Sequence, residues 1–162
     1  MGRVAGFAAL VLLSIIFQTF IASLISIEHV MPDIYVILVV YLTLTRGLSY
    51  GLIYGFVVGL VESSADPGLF GLSSLLKVVL AIVVYTLSNR LRLESKLMRI
   101  LVVFCSVALH NLAYYIVAYG FDFELAATVS VKFSLLDALY SALIAVVLLY
   151  LTERRLTLKF ES

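Results

Sequence analysis

The sequence carries two histidines, His29 and His110, and one cysteine, Cys105. Neither histidine belongs to an HExxH or CxxC-type cluster, and no P-loop or GxGxxG pattern precedes a soluble βαβ unit. No nucleophile–base set is visible, so no catalytic residue, cofactor or metal is expected. The one metal-like grouping is Glu28, His29 and Asp33, an imidazole with two carboxylates. Its plainer reading, which we prefer, is a short solvated acidic loop. Cys105 has no second cysteine to pair with and lies in an apolar run, where it reads as a small packing residue.

Lys77, Asp137 and the pair His110-Asn111 interrupt apolar runs. An unpaired charge inside a membrane costs several kcal/mol, so such groups face the bundle interior and find partners. Lys77 lies about six residues inward from Gly71, and Asp137 about five inward from Lys132. Equal depth predicts that Lys77 and Asp137 pair; the alternative is that Lys77 snorkels to the interface. His110 and Asn111 fall midway along their helix. They could line a substrate path, but a hydrogen bond to a neighbouring helix is the preferred reading.

These residues need a scaffold, and composition says which kind. Of 162 residues, 64% are hydrophobic and 13% charged, with a mean hydropathy of +1.17. A soluble domain of this length could not hide that much apolar surface. The chain is read as one integral membrane domain over residues 1–162, all-α, with no sizeable soluble part. At about 20 residues per span, there is room for about five or six crossings. The N-terminal apolar run is too long for a signal peptide and lacks a clear small-x-small site, so it is read as a retained helix.

Helices are predicted over about 4–26, 34–45, 48–61, 72–88, 100–119 and 133–151. The second and third are short for a span, roughly 18 Å for the second, and either cross a thinned bilayer or form a re-entrant hairpin. Pro32 and Asp33 suit the first turn of the second helix. With six crossings, Arg3, Arg46, Arg90, Arg92, Lys96, Arg99, Arg154, Arg155 and Lys159 fall on one side. Glu28, Asp33, Glu62, Asp66, Asp122 and Glu124 fall on the other, with Lys77 and Lys132 as the basic exceptions. The positive-inside rule then puts both termini in the cytoplasm. Several tyrosines, Tyr35, Tyr50 and Tyr119 among them, lie near predicted helix ends, as an aromatic belt would.

Gly47, Gly51, Gly55 and Gly59 recur every four residues and would leave a bare groove along one helix face. Glycine weakens a helix by up to about 1 kcal/mol relative to alanine, so four in register suggest that another helix approaches closely. That helix is either a foreign partner or a neighbour in the same chain. An acidic turn follows, with Glu62, Asp66, Pro67, Gly68 and Gly71, placed on the extracytoplasmic face.

This stretch resembles the MreD family of rod shape-determining membrane proteins. The resemblance rests on Pro32-Asp33, Val40-Tyr41-Leu42, Arg46-Gly47, the run from Gly55 through Gly59 to Glu62, and Pro67-Gly-Leu-Phe-Gly71-Leu. The family commonly carries Asp at the position of Glu62, so the charge type is kept. The resemblance implies a non-catalytic scaffold of the cell-elongation machinery. Its expected partners are a bitopic MreC-like protein and, beyond it, MreB and the enzymes of wall synthesis, with no nucleic acid. It also implies a bacterial inner-membrane location and a fold similar to the substrate-binding S-components of energy-coupling-factor transporters. The rival function is therefore a substrate-binding membrane subunit of a vitamin transporter. The short outer loops, without Trp or Arg to clasp a ligand, favour the scaffold.

Overall fold

A computed structural model describes residues 2–21, 32–64, 67–90, 96–120 and 136–147, with the isolated positions 122, 124 and 128. Six α-helices and no strand occur among these residues. They are α1 (Gly2–Ile16), α2 (Ile34–Arg46), α3 (Leu48–Ser63), α4 (Leu72–Arg90), α5 (Lys96–Ala118) and α6 (Leu136–Val147). α1 runs on through one π turn, Phe17–Ile21, and a 3-10 turn, Pro67–Leu69, precedes α4. α4 and the Leu97–Ala118 stretch of α5 are long and apolar enough to cross a bilayer by length alone; the other four helices are shorter. Glu28, His29, Asp66 and the predicted helical stretches 22–26, 133–135 and 148–151 lie outside the described residues.

Two boundaries differ from expectation in ways that matter. α3 continues to Ser63, so Glu62 is a helical residue rather than the start of a loop. α5 begins at Lys96, so Lys96 and Arg99 belong to its first turn.

α2 is the central element. Asp33 caps it, its Oδ1 accepting the Val36 N–H at 2.9 Å, which satisfies one of the free donors of the first turn. The backbone beside the cap is held by two other helices. The Ile34 N–H donates to Gln18 Oε1 at 3.0 Å, and the Asp33 N–H donates to Ser141 Oγ at 2.9 Å. Gln18 stands in the π turn, so the extra backbone residue there aims a side chain at the start of α2.

Two apolar clusters flank α2. Ile34, Val36, Ile37 and Val40 pack with Leu80 and Val84 of α4, Val102, Val103 and Val107 of α5, and Ala138 and Ala145 of α6. Tyr35, Val39 and Leu42 pack with Tyr54 and Val58 of α3 and Ala81 of α4, with Phe7, Leu10 and Val11 of α1 alongside. A helix apolar on every side belongs in the middle of a bundle. The outward faces are apolar as well. Leu12, Leu13 and Phe20 are exposed near the N-terminal end, Ile53 and Phe56 on α3, and Leu139 and Leu143 on α6. Such a rim suits lipid and not water.

Gly47 is not part of the helical groove expected of it. It separates α2 from α3 with φ 95°, a left-handed value that favours glycine, and has open space around its Cα. Gly51, Gly55 and Gly59 do share a face, and α4 fills it. A Cβ on Gly51 would meet Ala81 Cβ at 3.4 Å and overlap Thr43 of α2. One on Gly55 would meet Lys77 Cβ and O at 3.3 Å, and one on Gly59 would stand 2.6 Å from the Ser74 nitrogen. Ser74 Oγ donates to the Phe56 carbonyl at 2.9 Å, fastening the same contact. Gly59→Ala therefore pushes backbone against backbone. It should destabilise the protein by about 1–3 kcal/mol, whereas Gly6→Ala, which meets nothing within 4 Å, should not. Thermal unfolding in mild detergent checks this; equal midpoints for the two variants would refute the close approach.

Candidate functional site

The glycine contact brings a charge into the bundle. Lys77 sits on α4 opposite Gly55, and a helical Cβ leans toward its own helix N-terminus. In this antiparallel pair that direction leads to the C-terminal end of α3, where Glu62 stands. Lys77 Nζ forms an ion pair with Glu62 Oε2. It also lies 3.2 Å from His110 Nε2 on α5 and 5.8 Å from the centre of the Tyr35 ring on α2. The Lys77 side chain is fully buried, whereas Glu62 remains 38% exposed. One end of the ion pair thus opens to the surface while the other is enclosed.

An ammonium can only donate, so His110 Nε2 accepts and the ring proton resides on Nδ1. That Nδ1 is buried and without a hydrogen-bond partner among the described residues. Asp33, the cap of α2, completes the group. Donor atoms of Asp33, Glu62 and His110 all lie within 4.8 Å of one another. Two carboxylates and an imidazole at that spacing would suit a divalent cation. Here the ammonium of Lys77 already bridges Glu62 and His110, so a metal would have to displace a tethered cation. The cluster's evident chemistry is charge neutralisation across α2, α3, α4 and α5.

Several expectations change accordingly. Lys77 faces the interior, but its partners are Glu62 and His110 and not Asp137. Asp137 instead accepts from Asn111 Nδ2 at 3.4 Å, joining α6 to α5. Matching depth could not decide the pairing, because Lys77 points toward α3 and α5. His110 and Asn111 both bond to neighbouring helices, and through separate groups. Asp33 does sit near an imidazole, but that imidazole is His110. Pro67 and Gly68 lie exposed on the 3-10 turn. Gly71, at φ 85°, turns the chain into α4 and accepts the Leu75 N–H at 2.9 Å.

Gln18 stands out in the sequence as the one strongly polar residue inside the first helix, whereas Asp33, Tyr35 and Ser141 are not legible there as interior polar partners. Asp33 after Pro32 was legible as a helix start, but its depth in the bundle was not. No signal in the sequence singles out Ser141 or Tyr35 from other residues of their type.

The ion pair has a sharp consequence. Lys77→Met leaves Glu62 beside Asp33 without its counter-charge and should cost about 2–4 kcal/mol. Glu62→Gln combined with Lys77→Met should recover most of that loss, while Lys77→Glu with Asp137→Lys should not rescue either single change. Thermal unfolding of the detergent-solubilised variants reads both outcomes; rescue by the Asp137 exchange would overturn the assignment.

No curated protein and no solved structure matches the chain. One family does, over residues 2–157, a span that takes in α1 through α6 and every residue of the Lys77 cluster. With an apolar exterior and an all-helical bundle behind that match, the chain belongs to the family of the rod shape-determining protein MreD, a family of membrane proteins.

Proposed function

We propose that this chain is a non-catalytic membrane scaffold of the bacterial cell-elongation machinery. It acts as a multi-pass protein of the inner membrane and binds a bitopic MreC-like partner. Through that partner it reaches MreB and the enzymes of peptidoglycan synthesis. The observation that carries this reading is the family match over nearly the whole chain. The arrangement we propose is six spans with both termini cytoplasmic, similar to the S-component fold. The charge map supports it, since Arg90 and Arg99 stand at one end of α4 and α5 and the Glu62–Lys77 pair at the other.

The Gly51–Gly59 face is occupied by α4, so the partner's helix is proposed to dock elsewhere. Glu62, Asp66, Pro67, Gly68 and Gly71 are the proposed extracytoplasmic contact, with Glu62 half-open to the surface. Lys77, His110, Asn111 and Asp137 are proposed to hold the helices that present it. The ion pair supports a scaffold over a vitamin-capturing subunit, because Lys77, the cation beneath the outer end, is already engaged by Glu62 and His110.

Two measurements test the proposal. Affinity purification in mild detergent should recover a bitopic protein with a large periplasmic part; recovery of an ATPase module, or of a retained vitamin, would replace the scaffold by a transporter subunit. For topology, Cys105 is replaced by alanine, and Ser64→Cys or Ser95→Cys is added. An impermeant thiol reagent applied outside intact cells should label the first and not the second. The reverse pattern would invert the orientation.

A further inference from the structure

α4 and α5 line a groove of about 250 Å³ that is almost wholly apolar. Leu80, Val84 and Leu87 form one wall, and Leu101, Cys105 and Leu109 the other. Leu80 stands one turn from Lys77, and Leu109 is next to His110. The groove therefore begins just below the polar cluster and runs toward the far ends of both helices. From Leu109 to Met98 it extends roughly 16 Å at 1.5 Å per residue, about one leaflet of a bilayer whose hydrocarbon core is about 30 Å thick.

The sequence that joins α4 to α5 is basic. Arg90 closes α4 and is exposed; Arg99 stands in the first turn of α5; Arg92 and Lys96 fall between them in sequence, against one acid, Glu94. An apolar slot of one-leaflet length, with Arg90 three residues past Leu87 and Arg99 next to Met98, matches an amphiphile with an apolar tail and an anionic head. A partner's transmembrane helix would continue past the slot in both directions and has no need of the charge.

We propose that the α4–α5 groove is a binding site for a phospholipid with an anionic headgroup. One acyl chain lies along Val83, Leu87, Leu101 and Leu109, and the phosphate meets Arg90 and Arg99. Guanidinium groups bind phosphate in a fork geometry, and each basic residue near a membrane surface adds to such attraction. This inference rests on the membrane placement proposed above, with residues 90–99 at the cytoplasmic surface.

The chain contains no tryptophan, which makes the test direct. A single tryptophan is introduced into one groove wall as Leu101→Trp, into the other as Val83→Trp, and on the distant lipid-facing side as Phe56→Trp. Each protein is reconstituted in phosphatidylcholine containing a minor fraction of dibrominated lipid, either phosphatidylglycerol or phosphatidylcholine. At Leu101→Trp or Val83→Trp, dibrominated phosphatidylglycerol should quench with a relative binding constant about fivefold above that of phosphatidylcholine. Arg90→Gln with Arg99→Gln should bring that ratio to one. At Phe56→Trp the two lipids should be equivalent. Equal quenching in the groove overturns the proposal, and so does absence of quenching there, which would mean protein covers the slot. Failure of either lipid to quench Phe56→Trp would instead overturn the membrane placement itself.

Discussion

A lysine buried among helices sets the terms for this structure. Lys77 is fully enclosed, and an isolated ammonium in that position would cost far more than the few kcal/mol by which a protein is stable. Everything near it is arranged to keep that charge tolerable. Glu62 supplies the opposite charge, His110 an acceptor nitrogen, and Tyr35 the face of an aromatic ring. These come from three different helices, so the cation has all its partners only when α2, α3 and α5 are docked on α4. The cluster thereby specifies which helices are neighbours, something that apolar packing among many similar Val and Leu side chains specifies poorly.

The glycines and the ion pair are one feature. Gly55 and Glu62 lie two turns apart on α3, roughly 10 Å along the axis, and so share a face. Because Gly55 has no side chain, α4 approaches until the Lys77 backbone touches α3. Ser74 meets Gly59 one turn nearer the outer end, and Ala81 meets Gly51 one turn farther in. That register leaves the Lys77 side chain leaning up the groove toward Glu62. A larger residue at position 55 would separate the helices and move the ammonium away from its carboxylate. Small-residue packing is usually valued for the dispersion contact it allows; here it also sets an electrostatic distance.

Much of this was legible in the sequence. The four-residue spacing marked Gly51, Gly55 and Gly59 as a close-packing face, and composition alone required a membrane bundle. Pro32-Asp33 announced the start of α2. What could not be read was azimuth. Counting residues from a membrane face gives depth, and by depth Lys77 and Asp137 are equals. Which way each points depends on crossing geometry that no single helix encodes. Gly47 fits the same spacing as the other three glycines yet serves the turn before α3, because periodicity does not reveal where a helix begins. Ser63 and Ser64 read as a helix end, which leaves Glu62 in a loop; one more half-turn of helix swings its carboxylate inward.

The depth of the cluster follows from unequal helix lengths. α2 has 13 residues and α3 has 16, against 19 in α4 and 23 in α5. The cluster forms at the N-terminus of α2 and the C-terminus of α3, where both short helices stop. Seen from the long helices it lies within the apolar span: Lys77 is roughly 8 Å into α4, and His110 roughly 12 Å below the end of α5. The short pair thus creates a recess between longer neighbours. Charged and capping groups can gather there without sitting at the middle of the bilayer, where a charge is most costly. The partial exposure of Glu62 is what such a recess would give. The acid is close enough to the surface to stay solvated on one side, and deep enough to hold the lysine on the other.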